Sequence, residues 1–321
     1  MVHAQREAYL DLAGRSRVDE AVELCLSLLD RGASPEEVVL GLLRPAQRQV
    51  GERWALGAWS VAQEHRASAV TDGALAAISA AAPARTRGGL VAVACPPSEW
   101  HGLAARMVTQ LLRWRGVAAE CVGTLASDAA LEELLTERRP RVLALSCTMT
   151  SSLPAVARAA DVAARLDTAV LGGGRGFGQG GRYAGAVGVA ACVHDVSRAV
   201  RLLAAWEAAG PPTGQQATPE PLAYRLLLRH HDDVAAQLAD HLGADDVDPG
   251  PREILTDAVQ QVAALALAAS RTGQAAILDE GIGELAAVLG VRGGPLAAAA
   301  DRLPGAARAV LTRVAGHTDP E

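Results

Sequence analysis

"GLVAVACPPSEWHGLAARM", residues 89–107, decides the fold. An apolar run ends at Cys95, a Pro-Pro pair closes it, and from Gly102 apolar residues return at three- and four-residue spacing. The period therefore changes from that of a strand buried on both faces to that of a helix within one turn. Strand–turn–helix units of this kind stack into a parallel sheet, and such sheets bind ligands beyond the carboxyl ends of their strands. Turns usually carry small or polar residues. This one carries Glu99, Trp100 and His101. An imidazole two residues after a carboxylate, at the ligand-binding edge of a sheet, marks a candidate site.

The same alternation continues outward. "VAAECVG" (117–123), "RVLALSC" (141–147), "TAVLGG" (168–173) and "GVAAC" (188–192) are short apolar runs bounded by Gly, Pro or charge. Helical spacing fills 102–115, 128–138, 153–166 and 195–209. Residues 88–209 thus read as a flavodoxin-like, five-stranded parallel α/β domain. Residues 1–82 are helical throughout. "VDEAVELCLSLLDRG" stops at Gly32, Ser34-Pro35-Glu36-Glu37 opens the next helix, and 43–56 and 60–80 follow, giving a four-helix bundle. "GPPTGQQATPEP" (210–221) reads as a linker, and 222–321 as an all-helical domain with helices near 222–242, 250–272, 275–289 and 294–315.

Composition narrows the function classes. The net charge of −6 and the lack of a dense Lys/Arg patch argue against direct nucleic-acid binding. Charges or glycines interrupt every long apolar stretch, so no membrane span is expected. "MVHAQREAYLDLAGR" lacks the apolar core of a secretory signal, which points to the cytoplasm. Five scattered cysteines without C-x-x-C spacing suggest neither a zinc knot nor a disulfide framework. Five Trp, three Tyr and one Phe leave the core to Ala, Leu and Val, so any chromophore has to come from outside.

The strand ends converge on one rim. The first brings Glu99, Trp100, His101 and Gly102. The third brings Ser146, Thr148 and Thr150. The fourth brings Gly172, Gly173 and Gly174. Glycines admit a bulky ligand close to the backbone, hydroxyls bond a polar edge, and His101 can ligate a metal while Glu99 orients its ring. A lone turn His often satisfies only local groups, and Gly-rich loops are common. The ordered combination is what carries the reading.

That combination resembles the cobalamin-binding domain of corrinoid methyltransferases, mutases and cobalamin photoreceptors. The matching residues are Glu99-x-His101-x-x-Ala104, Ser146-x-Thr148 and Gly172-Gly173, with Ala104 where the family has Gly. The resemblance implies that His101 binds cobalt from below, in the base-off/His-on mode. The displaced benzimidazole tail would then lie in a groove lined by Ser146, Thr150 and Gly173. Upstream, Trp54 followed after nine residues by Glu64-His65 resembles the cap of cobalamin-dependent photoreceptor repressors, which overlies the corrin and its adenosyl group. In that branch a His follows the Trp. Here Ala55 does, which leaves His65 as a substitute or as a support for the cap.

The last segment concentrates His230, His231, Asp232 and His241. Periodicity makes them a solvated helix face beside an apolar stripe. Domain order resembles the photocobilins, which bind cobalamin and a bilin together. That resemblance implies non-covalent biliverdin held by these residues. The expectation is a photosensory, non-enzymatic protein. It would bind adenosylcobalamin, and light would cleave the Co–C bond. Its output would be a homo-oligomer or a signalling partner. The alternative is a corrinoid methyl carrier, the cofactor component serving a separate methyltransferase.

Overall fold

The computed structural model describes residues 2–97, 99–212 and 219–316. Half of the expected linker 210–221, at 213–218, lies outside the described residues. The N-terminal helices are α1 (Arg6–Gly14), α2 (Val18–Asp30), α3 (Pro35–Val38), α4 (Arg44–Ala55) and α5 (Val61–Ala81). The bundle has four rods, but not the expected four. Residues 39–43 form a π-turn that carries α3 straight into α4, and α1 supplies the missing rod. The starts were legible. Ser34 Oγ accepts from Glu37 N (3.1 Å) while Glu37 returns a carboxylate to Ser34 N (2.8 Å). Ser60 and Gln63 form the same reciprocal cap on α5.

The middle of the chain alternates β1 (Arg87–Cys95), α6 (Gly102–Trp114), β2 (Val117–Thr124), α7 (Asp128–Arg138), β3 (Val142–Ser146), α8 (Leu153–Arg165), β4 (Ala169–Gly173), β5 (Ala191–Val193) and α9 (Val196–Ala209). All pairings are parallel, in the order β2-β1-β3-β4-β5, the flavodoxin-like order. The fifth strand starts three residues later than its apolar run, because 184–187 close a tight turn instead. Leu143, Leu145 and Val170 face α7 and α8. Ala144, Ala169 and Leu171 face α6 and α9. This two-sided burial explains why the strands read as unbroken apolar runs.

The remainder is α10 (Leu222–Arg229), α11 (His231–Leu242), α12 (Pro249–Thr272), α13 (Ala276–Gly290) and α14 (Gly294–Gly316). The expected helix 222–242 breaks at His230. This segment has its own core, built on Tyr224, Leu238, Val259 and Leu303. It is also docked. Leu265, Ala268 and Ile277 join the apolar layer over α8. Ser151 Oγ donates to Gln261 Oε1 across the same boundary (3.2 Å).

The cap packs on α6, through Met107 and Leu111. Trp114 Nε1 donates to Ala82 O (2.8 Å), and Arg106 pairs with Asp72 (2.9 Å). These two contacts make α5 and α6 run side by side in the same direction. Above the Arg106–Asp72 level α5 continues to Val61, about 16 Å further, whereas α6 starts only about 6 Å higher, at Gly102. The first turns of α5, with the adjoining end of α4, therefore stand above the strand ends.

The loop after β4 is held tightly to the loop after β3. Gly174 has φ +107°, and a Cβ there would lie 2.2 Å from Cys147 O. Gly174→Ala is expected to cost about 1–3 kcal/mol, read as a lowered midpoint in urea denaturation.

Candidate functional site

His101 is the residue immediately before α6, and its side chain is half exposed. The ring is fixed from behind. Nδ1 makes a short hydrogen bond to Glu99 Oε1, which also accepts from His101 N (3.2 Å). Glu99 itself is fully buried. Its second oxygen, Oε2, accepts from Thr148 N and Met149 N (both 2.8 Å). Its carbonyl accepts from Thr124 Oγ1 (2.9 Å). One carboxylate thus joins the loops after β1 and β3, and the end of β2 steadies it.

Burial by itself pushes the Glu99 carboxyl up. The His101 hydrogen bond, the Met149 N–H, the His101 charge and the Thr148 N–H act the other way and prevail, so the carboxyl is held below its usual range. An ionised Glu99 keeps the proton on Nδ1, which leaves the Nε2 lone pair for a metal.

Ser146 and Gly173 are register partners on the face toward α6 and α9. Gly102, at the start of α6, has open space where a Cβ would be. Ala104, the departure from the family pattern, is exposed in the first turn of α6 and crowds nothing there. The strand ends beside α6 are partly open at Ser146 and Gly173, with Val193 O 3.2 Å from where a Gly173 Cβ would be.

The other glycines serve the protein rather than a ligand. Phe177 Cζ lies 2.7 Å from where a Gly172 Cβ would be, so Phe177 fills that space from the α8 side. Gly174 and Gly176 both admit Cys147. Of the three glycines expected to receive a ligand, only Gly173 faces the α6 side. Thr148 contributes its backbone N–H, and its carbonyl accepts from Arg175 Nε (3.4 Å). Thr150 opens a short 3-10 turn at the rim. Trp100 is 85% exposed, its side chain turned to solvent.

Above the rim, Trp54 is half-buried near the end of α4. Glu64 Oε1 accepts from Ser68 Oγ (2.8 Å), which in turn accepts from Gln47 Nε2 (2.6 Å). Gln47 lies two helical turns before Trp54, so this chain of bonds sets α4 against α5 on the Trp54 side. His65 Nδ1 lies 2.8 Å from Val61 O and 2.9 Å from Glu64 Oε2, and the ring is exposed. It braces the first turn of α5. The sequence reading missed Gln47, Ser68 and Met149. A backbone donor such as Met149 N leaves no mark in a sequence, and Gln and Ser on a helix look like solvated surface.

The third segment does not gather its marked residues. His230 Nδ1 pairs with Asp233 (3.2 Å) and His231 Nδ1 with Asp232 (3.2 Å), while His241 Nδ1 bonds Gln237 O (2.8 Å). His230, Asp232 and His241 are exposed and His231 partly so, outside a closed apolar core. Among the described residues no group of three or more His, Cys, Asp or Glu could hold a metal ion. No described helix is long and apolar enough to cross a membrane.

Two comparisons meet this geometry. Residues 5–79 match a family described as the B12 binding domain, and residues 89–203 match a second family of the same description. This chain carries cobalamin-binding domains. Neither match extends past residue 203, so the third segment lies outside both.

Among solved structures, the monomethylamine corrinoid protein of Methanosarcina barkeri is similar at 16% identity and a TM-score of 0.54. The match covers 61% of this chain and 95% of that one. It shares the fold. The methanol:cobalamin methyltransferase complex of Methanosarcina barkeri matches at 16% identity, 64% and 81% coverage and a TM-score of 0.35. A cobalamin-binding protein of Desulfitobacterium hafniense matches at 15% identity, 64% and 98% coverage and a TM-score of 0.34. No curated protein sequence matches the chain.

The residues fit a cobalamin. A corrin fills four positions around cobalt and needs only one axial protein ligand. His101, tied through Nδ1, would supply it, and the partly exposed Gly102–Ser146–Gly173 face would receive the tail. Wild-type stability should exceed that of Glu99→Gln by its full margin above pH of about 4.3. The margin should close as the pH falls through the depressed Glu99 value, because a lowered carboxyl contributes only while ionised. Chemical denaturation from pH 3 to 7 checks this. Glu99→Ala strands two buried N–H groups and is expected to cost about 2–5 kcal/mol.

Proposed function

We propose that the chain is an adenosylcobalamin-binding light sensor, a cofactor protein rather than an enzyme, holding cobalamin base-off with His101 on the lower face. The observation that carries the lower-face assignment is the half-exposed His101 ring locked through Nδ1 to a buried, ionised Glu99. When bound, the cofactor supplies a cobalt–carbon bond that visible light breaks.

The chain's own residues do the rest. Glu99 keeps the proton on Nδ1, so Nε2 stays a ligand and not a donor. Ser146, Gly173 and the open Gly102 position receive the polar tail. Trp54 stands above the rim as an apolar shield that keeps water off the upper face. The Gln47–Ser68–Glu64 chain holds the two cap helices in register beside it. The output passes to a partner protein or a second copy. The bilin expectation has no gathered set of donors in the third segment and forms no part of the proposal.

One observation favours a second reading, a methyl carrier serving a separate methyltransferase. Trp100, beside the ligand His, is 85% exposed, as suits a rim that must meet a partner. The monomethylamine corrinoid protein that shares the fold is a corrinoid protein by its own description.

Reconstitution with adenosylcobalamin, followed by spectra in darkness and after illumination, separates the two. A sensor is expected to show a His-on spectrum that changes with light. Uptake without a light-induced change beyond that of the free cofactor favours the carrier. No uptake sinks both. His101→Ala should lose the His-on spectrum while keeping the far-UV circular dichroism, with a denaturation midpoint below the wild type's because the buried Glu99 loses its imidazole partner.

A further inference from the structure

One side chain of the third segment, Arg292, reaches the cap. Arg292 lies in the turn between α13 and α14. Its Nη2 donates to Trp54 O (3.0 Å), and its guanidinium sits over the Trp54 ring, 5.4 Å from the centroid. The Arg292 stem reaches the cap as well, since its Cγ lies 3.7 Å from where a Gly57 Cβ would be. The turn is built for this reach. Gly293 and Gly294 have φ +71° and +54°, left-handed values that let a four-residue reversal place Arg292 outward. Arg292 Nε is buried without a hydrogen-bond partner, so the guanidinium is held here by the Trp54 carbonyl and the indole face.

The other end of the segment is anchored elsewhere. Leu265, Ala268 and Ile277 pack on the sheet domain, Ser151 bonds Gln261 beside the Thr150 turn, and Arg182 pairs with Glu280. The segment therefore spans from the rim on the α8 side to the cap, whose own seat is α6 on the opposite face of the sheet. The rim that carries His101 lies between the two.

We infer that Arg292 is a latch: it holds Trp54 in place from the third segment, and it couples that segment to whatever occupies the upper face. The inference rests on the cobalamin reading for the identity of the occupant, but the contact itself does not. Among the described residues the guanidinium bonds no cap residue but Trp54, so an occupant that moves the end of α4 must break both contacts and release the α13–α14 turn, while one that turns only the Trp54 side chain breaks the ring contact. An occupant that leaves Trp54 in place keeps the turn closed. Arg292 is a positioning residue, since it acts through Trp54 and does not touch the site.

The test is hydrogen exchange on the full chain. Without cofactor, Arg292→Ala should speed exchange of the amides of Leu56, Gly57 and Trp59, which bond back into the end of α4, by about tenfold. The amides of β1 and β3 should exchange as in the wild type. Arg292→Lys keeps a donor for the Trp54 carbonyl but loses the planar stack, and should fall between. Unchanged exchange at residues 56–59, or acceleration shared equally by the strands, overturns the latch.

With adenosylcobalamin and then hydroxocobalamin bound, wild-type exchange at residues 290–294 should differ between the two forms. Identical exchange overturns the coupling. Failure of the wild type to take up either cobalamin would sink the cobalamin reading, while the comparison without cofactor still decides the latch.

Discussion

A single buried carboxylate organises the rim. Glu99 has no solvent exposure, yet it stays ionised, because two backbone N–H groups and an imidazole N–H converge on it. A buried charge with fewer partners would take up a proton or move. Here the partners come from different strands, so satisfying the charge forces the β1 and β3 loops together. The same requirement fixes the His101 tautomer. Structural and chemical roles therefore meet at this residue: the carboxylate that closes the rim through Oε2 is the one that frees Nε2 through Oε1.

The cap depends on that rim through α6. His101 immediately precedes α6, and α6 carries the Met107, Leu111 and Trp114 side chains on which the cap rests. Fixing the turn fixes where the helix starts, and so where the first turns of α5 project. The Arg106–Asp72 pair is half exposed and contributes little energy, but it sets the level at which α5 passes α6. The height of Trp54 above the strand ends thus follows from helix lengths and one ion pair.

The sheet was legible because each strand is buried on both faces, so the apolar runs mark their own ends to within a few residues. Glu99 and His101 were legible because a turn has no structural need for a carboxylate and an imidazole at that spacing. Gly172 was misleading for a physical reason. A missing side chain looks the same in a sequence whether a ligand or Phe177 takes the space. The joined helix α3–α4 was hidden because Pro35 and Pro45 each look like a helix start, while a π-turn between them lets both sit in one rod. The third segment hid most. Its histidines drew the eye to a solvated face, while Arg292, one arginine among many, had no local signal at all. Its contact joins residues 238 positions apart.

That long-range contact is weak enough to be reversible. A hydrogen bond from a charged guanidinium to a carbonyl contributes about 1.5–3 kcal/mol net. A guanidinium on an indole face adds about 0.5–1 kcal/mol where water still reaches it. The sum, roughly 2–4 kcal/mol, is a factor of about thirty to nine hundred in an equilibrium. An occupant of the upper face whose contacts favour a moved Trp54 by more than this would set its position against the latch. The docking of α12 on α8 is a different matter. It buries Leu265, Ala268 and Ile277 in the sheet domain's own core, and a change at the rim would leave it intact. The segment therefore has one fixed end and one releasable end, so a displacement of Trp54 would appear at the α13–α14 turn and not as separation of the domains.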